Sequence, residues 1–126
     1  GGFAVIKDVP KTLVYRLVDW RNRDGVVPES IISRPPSAEL RADQKDSDSL
    51  PPYPVLDKLI QALVDDSVPP ETAARRAGTS VSLAREIARR IDGNEYKRRQ
   101  APPGPKVTGR AFAEGRRYPI AQKFQV

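Results

Sequence analysis

Thirteen prolines punctuate this 126-residue chain, and their placement limits what it can form. A proline has no backbone N–H to give, and it breaks the interior of a helix or a central strand. Pro35, Pro36, Pro51, Pro52 and Pro54 bracket a string of Asp and Ser, so the segment from Arg34 to Pro54 reads as a loop. Pro10 and Pro70 suit the first turns of helices, and Pro102 with Pro103 ends one. Only 38% of the residues are apolar, against roughly 45–50% in a typical globular domain. One modest core with long irregular connections is expected, in a chain that amounts to at most one ordinary domain.

Apolar spacing places the helices between these breaks. Leu13, Val14, Leu17 and Val18 form the stripe of a first helix, with Asp8 as its cap and Gly25 as its stop. Ile31 and Ile32 then read as a short extended pair. Val55, Leu56, Leu59, Ile60, Leu63 and Val64 give the next segment a strong amphipathic pattern. "PPETAARRA" predicts a short helix with Glu71 in its first turn and Gly78 just past its end. A further helix starts at Ser80 or Ser82, carries Leu83, Ile87 and Ile91, and can run to Pro102. Gly93 weakens it by about 1 kcal/mol relative to Ala, so a break is expected near there. Trp20 and Tyr53 are read as packing residues, and no internal repeat is present. The chain is thus mostly α, as one unit over 1–126. A first helix and extended segment fill 1–33, a mobile loop 34–54, helices 55–101 and an irregular tail 102–126.

Several kinds of chemistry are excluded. With no cysteine the chain has neither a disulfide framework nor a thiolate metal site. With no histidine it lacks the commonest general base and metal ligand. No apolar run approaches the roughly 20 residues that span a bilayer. There is no signal-peptide pattern and no Met, so the chain is expected to begin inside a longer protein. The +6 net charge is unevenly placed: residues 1–74 hold 9 basic and 12 acidic side chains for −3, and residues 75–126 hold 13 and 4 for +9.

A basic half suits a polyanionic partner. "ETAARRAGTSVSLAREIARRI" has the form of a helix-turn-helix, with Ala74 and Gly78 small where two helices approach and with Arg85, Arg89 and Arg90 available to phosphates. The same pattern fits any packed helical hairpin, and Val81 and Leu83 are poor readers of base edges. A nucleic-acid-binding module over 70–99 therefore stands as one reading, and a structural interaction domain as another.

A second signal is distributed. "GGFAVIKDVPKTLVY", "ISRPPSAELRADQKDSDSLPPY" and "NEYKRRQAPPGPKV", in that order, resemble the C-terminal part of the synthetase domain of glutamine-dependent NAD+ synthetase. The resemblance runs from Gly1 to about Lys106, and "RRYPI" near the end also fits. It implies a helical C-terminal fragment of an α/β, Rossmann-like domain of the ATP-pyrophosphatase type. It implies an ATP-dependent amide ligase that adenylates deamido-NAD and then takes ammonia released from glutamine by a separate glutaminase domain. ATP and Mg2+ would serve the intact enzyme, which would form a homo-oligomer and bind no specific nucleic acid and no membrane. The family's Ser-Gly-Gly phosphate loop is absent from this sequence, so the chain alone is expected to be inactive and to hold no ligand.

Residue by residue, the resemblance makes Lys11 a catalytic cation on the ATP phosphates and makes Ser37 a phosphate-binding hydroxyl. It brings Tyr96 and Lys97 to deamido-NAD, although some relatives carry His where Tyr96 stands. It makes the loop around "RPPSAELRADQKDSDSL" a cover that orders over ATP. Each residue also has a plainer reading: Lys11 on an exposed first turn, Ser37 as a turn hydroxyl, Lys97 on a solvated basic face. No metal ligand is assigned; Asp46 and Asp48 could serve Mg2+ or a backbone amide.

Overall fold

The computed structural model describes residues 2–38, 40–111 and 115–121. Gly1, Glu39 of the predicted loop, and tail residues 112–114 and 122–126 lie outside the described residues. Among those described there are helices and turns and no strand. The α-helices are α1 (Lys11–Arg21), α2 (Glu29–Ile32), α3 (Tyr53–Ile60), α4 (Pro70–Ala77), α5 (Val81–Gly93) and α6 (Glu95–Gln100).

The core lies where the amphipathic pattern is strongest. Leu56 and Leu59 of α3 pack with Ala73, Ala74 and Ala77 of α4 and with Ala84, Ile87 and Ile91 of α5. Alanines on α4 let the helices approach closely, so a small core is still dense. The chain beyond Ile60 continues as one π-helical turn, Gln61–Asp65, in which the Asp66 amide donates to the Gln61 carbonyl at 3.0 Å. This wider turn puts both Ala62 and Val64 into the core. It ends at Ser67, whose φ of 51° is in the left-handed region.

The α4–α5 corner is built by local chemistry. Gly78 adopts φ 68°, the Thr79 amide donates to the Ala74 carbonyl at 3.0 Å, and the Gly78 amide donates to Arg75 at 3.3 Å. These two bonds and a left-handed glycine are the Schellman closure of a helix. A Cβ on Gly78 would meet nothing within 4 Å, so backbone conformation and not close helix approach requires this glycine. Ser80 then caps α5, its hydroxyl accepting from the Leu83 amide at 3.2 Å.

Four sequence expectations are corrected. Asp8 does not cap α1: its carboxylate accepts from the Val107 and Thr108 amides, each at 2.7 Å, and Pro10 precedes the helix. The Thr12 amide at the start of α1 instead donates to the Asp57 carboxylate of α3 at 2.7 Å. Ile31 and Ile32 are helical, because Glu29 and Pro28 start a turn there. The helix expected from Val55 begins at Tyr53, since Pro54 is tolerated in a first turn. Trp20 is 61% exposed, so among the described residues it is not a core packing residue. The expected weakness near Gly93 is a real boundary, with Asn94 between α5 and α6.

The tail crosses back over the start of the chain. The Ala4 amide donates to the Pro103 carbonyl at 2.8 Å. A Cβ on Gly104 would lie 2.3 Å from the Ala4 carbonyl oxygen, so glycine is needed at that crossing. The buried Asp8 carboxylate also accepts from the Thr108 hydroxyl at 3.0 Å. Through these bonds the tail fixes the turn that leads into α1.

Candidate functional site

α1 begins with Lys11, and helical spacing sets Tyr15 one turn on, over the same face. Tyr53, at the start of α3, completes the group. The Lys11 ammonium lies 5.9 Å from the Tyr15 ring centroid and 5.8 Å from that of Tyr53. The two rings meet edge to face at 6.4 Å. An ammonium within about 6 Å of an aromatic face is attracted by the ring quadrupole. Both rings therefore orient the cation.

A cleft of about 320 Å³ opens beside this group, lined in part by Lys11, Tyr15, Ile32, Arg34, Pro36 and Ser37. Lys11 and Ser37, 26 positions apart in sequence, thus face one concavity. Tyr96 and Lys97 are not among its lining residues. They sit on α6, with the Lys97 ammonium 5.9 Å from the Tyr96 ring. The structure brings two of the sequence-predicted site residues together and leaves the other two elsewhere. Sequence reasoning missed Arg34 and Tyr15 in the cleft wall. The four-residue spacing from Lys11 to Tyr15 was the available signal for the second.

A larger cleft of about 710 Å³ lies between α1 and α3, with Lys11, Tyr53, Asp57 and Thr108 in its wall. Lys11 and Tyr53 stand in the walls of this space, and Lys11 lines the smaller cleft as well.

The loop residues have defined partners. Asp46 and Asp48 form a short 3-10 turn with Ser47 between them. The Asp48 carboxylate accepts from the Lys45 amide at 2.9 Å. The Asp46 carboxylate accepts from the Tyr53 hydroxyl, and the Asp46 amide donates to the Pro36 carbonyl at 2.9 Å. Burial, then the bond to Asp46, pushes the Tyr53 phenol well above its usual range, so it stays protonated and donating. Among the described residues no group of three or more acidic side chains gathers as a metal site. Asp46 and Asp48 thus accept from an O–H and an N–H respectively.

Several arginines of the basic half pair with carboxylates within the fold. Arg76 pairs with Asp66 and Arg85 with Glu71, both at 2.6 Å, and Arg90 pairs with Glu86 at 2.7 Å. Glu95 is buried and holds Arg98, along with Arg99 at 3.1 Å. Arg116 reaches back to Asp92 at 2.8 Å. Arginines engaged this way do not form an open phosphate-binding stripe, and the nucleic-acid reading is not favoured.

A family model described as NAD synthase matches residues 1–101. The chain is 47% identical to the glutamine-dependent NAD(+) synthetase of Acinetobacter baylyi over 128 residues, covering 99% of this chain and 24% of that protein. It is 48% identical to the Synechocystis enzyme of the same name, over 98% of this chain and 22% of that protein. The solved structure of glutamine-dependent NAD+ synthetase from Acinetobacter baumannii, in complex with ADP, superposes with a TM-score of 0.53 at 36% identity. That match covers 90% of this chain and 19% of the solved one. The chain thus spans about a quarter of the length of the curated relatives it matches.

Proposed function

The chain belongs to the NAD synthase family, and from that premise we propose that it forms the C-terminal part of the synthetase domain of a glutamine-dependent NAD+ synthetase. The reaction is amide formation in two steps. A carboxylate oxygen of deamido-NAD attacks the α-phosphorus of ATP, the bond to the β-phosphate breaks, and pyrophosphate leaves. Ammonia from glutamine then attacks the acyl carbon, AMP leaves, and a proton is released with formation of NAD.

Lys11 faces the charge that builds on the leaving pyrophosphate. A fixed cation aimed at developing charge stabilises the transition state more than the ground state. The Ser37 hydroxyl binds a phosphate oxygen from the opposite wall of the cleft. The loop 34–54 covers the nucleotide, because an acyl-adenylate is lost if water reaches it. Tyr96 and Lys97 meet deamido-NAD at a surface completed by the rest of the enzyme. The exposed face of α1, with Leu17 and Trp20, packs on the remainder of the synthetase domain. The intact enzyme is a cytoplasmic homo-oligomer using Mg2+ held by ligands beyond those described here.

One observation carries this reading: Lys11 and Ser37 share one cleft in a chain of this family. The test is NAD formation from deamido-NAD, ATP and ammonia by a full-length synthetase carrying this chain. Turnover is expected, with pyrophosphate and AMP released in equal amounts. Release of ADP and phosphate instead would overturn the adenylation chemistry.

A further inference from the structure

Asp46 is the point at which the two candidate phosphate contacts are joined. Its amide donates to the Pro36 carbonyl at 2.9 Å, next to Ser37. Its carboxylate accepts from the Tyr53 hydroxyl, and the Tyr53 ring lies 5.8 Å from the Lys11 ammonium. Tyr15 closes the other side, at 5.9 Å from the ammonium and 6.4 Å from the Tyr53 ring. A lysine side chain has many rotamers, and a cation useful in a transition state must be held near one of them. Two rings can do that only if they are fixed. Both rings stand on helices and meet edge to face, and Tyr53 is in addition tied at its far end by Asp46.

We propose that Asp46 and Tyr53 are positioning residues for Lys11: the carboxylate anchors the phenol, the phenol ring presents the ammonium, and the Asp46 amide holds the Ser37 wall in register with it. This rests on the reading of Lys11 as the cation that meets pyrophosphate. It gives Asp46 a role other than metal binding or the plain capping of a turn. The bond is well suited to the task. An ionised carboxylate is a strong acceptor from a neutral hydroxyl, and the raised phenol keeps its proton throughout the working pH range. The aromatic face, not the hydroxyl, meets the cation, so Tyr53→Phe removes the anchor and keeps the ring.

The test uses a full-length synthetase carrying this chain, assayed for NAD formation. Tyr53→Phe is expected to lower kcat about tenfold and to leave KM for ATP within about twofold, as for loss of a transition-state contact. Asp46→Ala should do the same, and the double variant should be no worse than either alone. In a Lys11→Ala background, Tyr53→Phe should cost nothing further. A general loss of packing would instead add to the Lys11→Ala loss. If Lys11→Ala abolishes activity while Tyr53→Phe keeps full kcat, the positioning role is overturned and the reading of Lys11 survives. If Lys11→Ala has normal kcat, both fall.

A second measurement does not depend on activity. In the 126-residue chain, the Tyr53 phenol is followed by its ultraviolet titration, assigned by difference against Tyr53→Phe. Asp46→Ala should bring it down toward the ordinary tyrosine value of about 10. An unchanged titration would mean that the carboxylate does not hold the phenol, and would overturn the proposal.

Discussion

Lys11 and Glu95 show how the surroundings of a charged side chain decide what its charge does. Lys11 lies beside two rings in the wall of a cleft. In a full-length synthetase carrying this chain, Lys11→Ala should lower kcat by about 10²–10³, the usual cost of removing one donor to developing charge. A near-normal kcat would return Lys11 to an ordinary surface position. Glu95 is buried, and its acidity is decided by competition. Burial pushes it up, but the Arg98 and Arg99 hydrogen bonds, the charge of Arg98 and the Tyr118 amide outweigh that and hold it below the usual carboxylate range. A carboxyl depressed in the folded state contributes stability that is complete above its unfolded value of about 4.3 and is lost as pH falls through the folded value. Glu95→Gln should therefore flatten the acid limb of unfolding. It should also cost about 3–5 kcal/mol at neutral pH, because Arg98 is left buried without its counter-charge. Urea unfolding from pH 7 to pH 3 measures both; a loss below about 1 kcal/mol would show that the pair is not buried in solution.

The corner between α4 and α5 is held by local devices, each testable by one substitution. Gly78→Ala should cost about 1–2 kcal/mol, although there is room for the methyl group, because the left-handed backbone is strained for any residue with a Cβ. Ser80→Ala should cost about 1 kcal/mol by leaving the Leu83 amide without its cap. If Gly78→Ala is neutral, the corner must adopt another conformation in solution. The same two helices carry the duplex-binding test. With Arg76, Arg85 and Arg90 paired within the fold, the chain should bind duplex weakly and without sequence preference at about 150 mM salt, where surface charges are screened over about 8 Å. A selected site bound in the nanomolar range, as in specific complexes, would restore the helix-turn-helix reading.

For the molecule as a whole, the described residues pack a small core across α3 to α5 and leave Trp20, Val26 and Ile31 exposed. It spans about a quarter of its relatives' length, and no Ser-Gly-Gly loop occurs in it. The isolated chain should accordingly show no NAD formation above background from deamido-NAD, ATP and ammonia; clear turnover by the purified chain would refute its reading as a part of a synthetase domain. Much of the architecture was legible in the sequence, because the signals that make it are short in range. The stripe from Val55 to Val64, the glycine after Ala77, the Ser80 cap and the break at Gly93 each act within a turn or two. The ordered motifs were enough to indicate the family. What the sequence could not decide was which partner a polar side chain takes when several are in reach. Asp8 looked like a cap by its position, but it serves amides about 100 residues away, while Asp57, 45 residues on, satisfies the start of α1. Tyr53 packs against the core as its sequence suggested, but only the fold sets its hydroxyl on Asp46 and its ring beside Lys11. Helix signals are local because the hydrogen bonds of a helix close within four residues. The site was not legible in the same way, because its contacts exist only after the chain has brought distant segments together.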